Sequence, residues 1–182
     1  ASPQGLNFFF FFIGEALGER VVYRRGAQVG VPIWVRGPLG WAAAGLALLQ
    51  RGIGRDNEPF FPLLERHLNP RARVELGVQL AASGLVHAMM DLSDGLATDL
   101  AHLCTASAVG AEVWAQRLPG QDLLIQAAPL TNEDPIHWAI GGGEDFELLF
   151  TASPEAETAL MALGQQCDLH LTAIGTIIAG GG

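Results

Sequence analysis

The chain has 182 residues, 49% of them apolar and 16% charged, with a formal net charge of −9. That is enough for one domain with a real core, too short for two full-sized ones, and too apolar for a disordered or low-complexity chain. The longest strictly apolar run, Phe8 to Ile13, is far below the about 18 residues of a membrane span. No basic region precedes it as in a secretory signal, so the expectation is a soluble cytoplasmic domain with no membrane partner.

All ten basic residues are arginine. Without lysine, the chain contains no Schiff-base, P-loop or protein-kinase lysine of its own. It starts at Ala1 rather than methionine, which suggests a processed or truncated product. Residues 1–80 carry nine arginines and six acids, whereas residues 81–182 carry one arginine and thirteen acids. A net-acidic chain is a poor match for a nucleic-acid backbone. Arginines from the first half could hold phosphates, and carboxylates from the second could hold metal ions; an ordinary acidic surface is the alternative. Cys104 and Cys167 have no CxxC spacing and read as buried thiols. The five histidines show no HxH or HxxxH pattern, which makes a histidine-based metal site improbable.

In chain order, Leu6–Ile13 reads as a strand, because its five consecutive phenylalanines favour the extended state. A turn leads to a short strand at Arg20–Tyr23, and Val31–Arg36 is another strand between glycines. Helices are expected at Trp41–Gln50, Phe61–Leu68 and Val74–Ser83, the last stopped by Gly84. A strand at Val86–Asp91 runs at once into a helix at Asp94–Ala108. There Leu96, Leu100, Leu103 and Ser107 follow the i, i+4, i+7, i+11 spacing of one helix face, with Asp99 and His102 on other faces. Ala111–Ala115 follows as a strand, then helices at Asp122–Gln126 and Glu133–Ile140. Asp145–Thr151 is a strand in which Phe146, Leu148 and Phe150 alternate with Asp145 and Glu147. A helix at Pro154–Gly164 and a strand at Leu169–Ile178 complete the set, before a frayed glycine tail. The order predicts an α+β domain, a mixed β-sheet covered by helices.

Three places could carry chemistry. In Met90-Asp91-Leu92-Ser93-Asp94-Gly95-Leu96 an apolar strand delivers two carboxylates and a hydroxyl to a helix start. Hard oxygen ligands of this kind suit Mg²⁺, although Ser93 or Asp94 could simply cap the helix. In Gly141-Gly142-Gly143-Glu144-Asp145-Phe146-Glu147 three glycines allow close backbone approach to a ligand, or serve as a hinge into a strand. Arg24-Arg25-Gly26-Ala27 offers guanidiniums for phosphate oxygens, or a solvated turn.

Residues 90–96, with Asp99-Leu100 and His102 after them, resemble the DxSDGL-x-x-DLxHI signature of bacterial thiamine-monophosphate kinases. Gly142-Gly143-Glu144-Asp145-Phe146-Glu147-Leu148 resembles that family's GGEDYEL motif, with His137-Trp138-Ala139 before it. Arg24-x-Gly26-Ala27-x-x-Gly30, Gly40-x-x-Ala43-Ala44-Gly45-Leu46 and Arg66-His67-Leu68-x-Pro70 recur in the same order. The resemblance implies the C-terminal domain of the aminoimidazole-ribonucleotide synthetase superfamily. It further implies transfer of the ATP γ-phosphoryl group to thiamine monophosphate. Asp91 and Asp94 would then be Mg²⁺ ligands, Ser93 and Arg24 would contact ATP, and Glu144 the thiamine phosphate substrate; no residue here is expected to act as a catalytic group itself.

Val31 and Trp41 stand where the family usually has Asp, which bears on local stability. On this reading residues 1–19 are a remnant strand and linker of a missing N-terminal domain, and residues 20–182 are the C-terminal domain. The chain alone is expected to be inactive and to associate as a homo-oligomer. A non-catalytic nucleotide-binding or interaction module of the same superfamily is the competing expectation.

Overall fold

The computed structural model describes residues 20–166 and 170–180; the expected strand Leu6–Ile13 and Cys167 lie outside them. Among the described residues five strands form one sheet: β1 (Pro32–Arg36), β2 (Val86–Leu92), β3 (Val109–Val113), β4 (Glu147–Ala152) and β5 (Leu171–Ala179). Their order is β2-β4-β1-β5-β3 and each pairing is antiparallel. The α+β class with helices over the sheet is thus the observed one, but the sheet is antiparallel throughout rather than mixed as expected. The helices are α1 (Trp41–Gln50), α2 (Phe61–Leu68), α3 (Val74–Ser83), α4 (Leu96–Ser107), α5 (Gln121–Thr131), α6 (Pro135–Gly141) and α7 (Glu157–Gln166).

Strand alternation divides the apolar side chains between two cores. Ile33, Val35, Leu149 and Ile174 bury against Leu48 of α1, Leu63 of α2, Leu103 of α4 and Leu124 of α5. Trp34 and Phe150, opposite one another in the β1–β4 register, bury with Leu76, Leu80 and Leu160 of α3 and α7. Their rings are nearly parallel at 8°, with centroids 6.4 Å apart. Covering both faces explains the apolar runs in β1 and β4.

Several boundaries differ from expectation. Residues 20–23 are not a regular strand, although the Tyr23 carbonyl accepts a bond from the Met89 amide at 3.0 Å and so lies along β2. Helix α4 starts two residues later than expected, because Ser93–Gly95 form a turn. Strand β4 starts two residues later than expected for a related reason: Glu144 and Phe146 have φ of 67° and 50°, which an extended strand cannot accommodate. Helix α5 runs through Pro129 to Thr131 and is terminated by Asn132 at φ 61°. Cys104 is buried as expected, and burial pushes its thiol pKa up, which keeps it protonated and unreactive.

Candidate functional site

Two loops meet at the end of β2. The first, Ser93–Gly95, connects β2 to α4. Its three successive amides, from Ser93, Asp94 and Gly95, all donate to Oδ2 of Asp99, at 3.0, 3.0 and 3.1 Å. Asp99 is 1% exposed. A buried carboxylate one turn into α4 therefore gathers the loop's donors and fixes its path. It leaves the Asp91 and Asp94 side chains at the surface; both residues are exposed and Ser93 is half-buried.

The second loop, between α6 and β4, is sewn to the first by backbone bonds. The Glu144 amide donates to the Ser93 carbonyl and the Phe146 amide to the Leu92 carbonyl, both at 2.8 Å. The approach is so close that a Cβ on Gly143 would lie 2.6 Å from the Ser93 carbonyl oxygen. Glycine at that position is a steric requirement of the junction. The positive φ angles of Glu144 and Phe146 cost on the order of 1–3 kcal/mol each for non-glycine residues. These two interloop bonds hold them there.

The structure thus brings Asp91, Ser93, Asp94 and Glu144 to one end of the sheet. The Glu144 carboxylate is 63% exposed, with Oε2 3.5 Å from Nδ1 of His67 on α2. Arg24 is exposed and is bonded to neither loop. Its neighbours Gly26 and Ala27 donate to Oγ of Ser107, at the far end of α4 from the two loops.

Two carboxylates read as strand acids have other work. Asp145 is 2% exposed and accepts bonds from the Gly40 and Ala42 amides, at 2.5 and 3.1 Å, capping α1 through space. Burial pushes its pKa from 3.8 up to about 6, against the pull of those amides and of Arg66. Glu147 is fully buried and takes Arg36, Arg66 and Arg73 at 2.7–2.8 Å. Asp99, likewise, faces the core rather than another side of α4. Its spacing could have revealed this, since 96, 99, 100 and 103 form one helical stripe.

Mg²⁺ accepts one or two protein carboxylates and completes its shell with phosphate and water oxygens. The exposed pair Asp91 and Asp94 has the right donor chemistry for that partial role. Among the described residues no group of three His, Cys, Asp or Glu side chains is placed to cage a metal by itself.

Residues 28–182 match the family model described as AIR synthase related protein, C-terminal domain. The chain belongs to this family. It is 39% identical over 146 residues to the thiamine-monophosphate kinase of Aquifex aeolicus, a match covering 80% of this chain and 46% of the relative. The crystal structure of thiamine-monophosphate kinase from Stenotrophomonas maltophilia superposes with a TM-score of 0.80 at 40% identity, over 88% of this chain and 51% of that one. A structure of AaThiL complexed with AMPPCP and TMP gives a TM-score of 0.77 at 35% identity, over 90% of this chain and 50% of that one. The family assignment made from the five motifs is therefore upheld. The chain spans about half the length of the relatives it matches.

Proposed function

We propose that this chain is the C-terminal part of an ATP-dependent thiamine-monophosphate kinase. The observation that carries the reading is the pair of interlocked loops, which present Asp91, Ser93, Asp94 and Glu144 together in a relative of proteins with that name. The AaThiL complex with AMPPCP, an ATP analogue, and TMP supports ATP and thiamine monophosphate as the two substrates. The γ-phosphoryl group of ATP passes to a phosphate oxygen of thiamine monophosphate, and ADP leaves.

Such a transfer requires little covalent help from the protein; positioning and charge neutralisation supply most of the barrier lowering. Asp91 and Asp94 hold Mg²⁺, which when bound screens the phosphate oxygens. Ser93, on the loop that Asp99 fixes, contacts ATP. Glu144 orients the thiamine phosphate, with its backbone pinned to Ser93 and its carboxylate facing His67. Arg24 reaches ATP from the segment alongside β2. The rest of the metal and phosphate ligands come from an N-terminal domain that precedes residues 20–182. The 182 residues alone are inactive, and the complete protein works as a cytoplasmic homo-oligomer.

The test is made in the complete polypeptide that carries this domain, with ATP and thiamine monophosphate across a Mg²⁺ titration. The Asp94→Asn variant is expected to lose turnover by orders of magnitude while circular dichroism stays unchanged. Thiamine diphosphate formation equal to that of the parent at every Mg²⁺ concentration rejects the assignment.

A further inference from the structure

Beside α2, on ground the kinase reading leaves unused, lies a cavity of about 440 Å³ lined by Arg36, Arg66, Arg71 and Arg73, with Trp41 and Phe61 among its walls. None of Asp91, Ser93, Asp94 and Glu144 lines it. Three of these arginines converge on Glu147, whose two oxygens are already engaged by five contacts from Arg36, Arg66 and Arg73. A carboxylate has about four lone-pair sites, so Glu147 has no capacity left for the remaining guanidinium protons. One of these, on Arg36 Nε, is buried and has no hydrogen-bond partner. The acid that lines the cavity, Glu65, is engaged by Arg55 at 2.7 Å and by the Asn69 side-chain amide at 3.0 Å. Three guanidiniums against Glu147 and the neighbouring Asp145 carboxylate leave one positive charge in a half-buried recess, and Arg71 adds a second at its exposed rim. The strain registers on Arg66. Burial lowers its pKa, Glu147 and Asp145 oppose the shift, and Arg73 and Arg36 add to it.

From this imbalance we infer that the recess is an anion site for a phosphoryl group, separate from the carboxylate loops and independent of divalent cation. Planar guanidiniums with spare N–H donors match tetrahedral phosphate oxygens through paired hydrogen bonds. The phosphoryl group could be free or carried by an ester. Trp41 and Phe61 provide ring surface for the organic part of an ester.

The experiment is calorimetric titration of the 182-residue chain at low ionic strength in EDTA, with inorganic phosphate, pyrophosphate and phenyl phosphate as separate probes. Saturable binding is expected, weakened at least fivefold in Arg71→Ala and lost in Arg71→Glu. Arg71 makes none of the bonds to Glu147, so both variants should melt as the parent does. Tighter binding of phenyl phosphate than of inorganic phosphate assigns the site to an ester; equal binding assigns it to the free anion. The inference is overturned if no probe saturates, if binding is the same in Arg71→Glu, or if it requires added Mg²⁺. That last result would place the anion at Asp91 and Asp94 and would leave the kinase reading standing.

Discussion

At the scale of single residues, the site depends on carboxylates that never meet solvent. Asp145 shows the cost. Its pKa in the folded protein is raised from 3.8 to about 6, so between these values the folded state keeps a proton that the unfolded chain has lost. The folded state therefore binds more protons, and stability must fall as pH rises through that window. The loss is roughly 3 kcal/mol at about 1.4 kcal/mol per unit, complete above pH 6. Urea unfolding of the parent and of Asp145→Asn at pH 4, 5, 6 and 7 checks this. The parent's advantage over the variant is expected to shrink steadily up to pH 6 and then level. An advantage that grows with pH contradicts the assignment.

Asp99 and Glu147 show which part of the site was legible. The positions of Asp91, Asp94 and Glu144 followed from strand ends and glycine runs, which mark local chain reversals. The partners of Asp99, Asp145 and Glu147 did not. Alternation treats an acid in an apolar strand as solvent-facing unless a counter-charge is known to arrive, and for Glu147 that charge comes from positions 36, 66 and 73.

At the scale of elements, α1, α2 and α3 begin and end at the expected residues, because punctuation is local: Gly40 before α1, Pro62 in the first turn of α2, Gly84 at φ 69° after α3. The start of β4 was not legible, since Glu144 and Phe146 are held at positive φ by bonds that their amides donate to the carbonyls of Ser93 and Leu92, distant in sequence. The contact between α1 and α2 is equally unforgiving. Gly45 sits where a Cβ would come within 2.2 Å of the Leu63 carbonyl oxygen. Alanine is the better helix former by about 1 kcal/mol, so propensity alone predicts that Gly45→Ala stabilises. The backbone clash predicts the opposite, and overpacking costs about 1–3 kcal/mol or more. The net expectation is a lower urea midpoint with an unchanged slope. A raised midpoint shows that α1 and α2 separate freely.

At the scale of the whole molecule, the uneven charge along the sequence finds its purpose. At one point it does so through the β1–β4 pairing, which puts Arg36 and Glu147 at the same end of the sheet, where Arg66 and Arg73 also reach that carboxylate. The sheet's middle strands are buried on both faces, so the cores report on fold. The loops at the sheet's end carry the candidate residues Asp91, Ser93, Asp94 and Glu144.

The Glu147 carboxylate joins the end of β1, helix α2, the lead-in to α3 and the start of β4 at one point. Four stretches of chain that share one fastening cannot open one at a time without stranding a buried charge. They should therefore form a single opening unit in native-state hydrogen exchange, with amides near Arg36, Leu68, Gly77 and Leu149 exchanging at a common free energy. Glu147→Gln removes the shared anion and is expected to cost about 3–5 kcal/mol. It should drop the protection of all four stretches together while α5 keeps its own. Loss confined to β4 would mean that the arginines find other partners. A common loss would make this one carboxylate the point that decides whether the ground beneath both loops is present or absent at any instant.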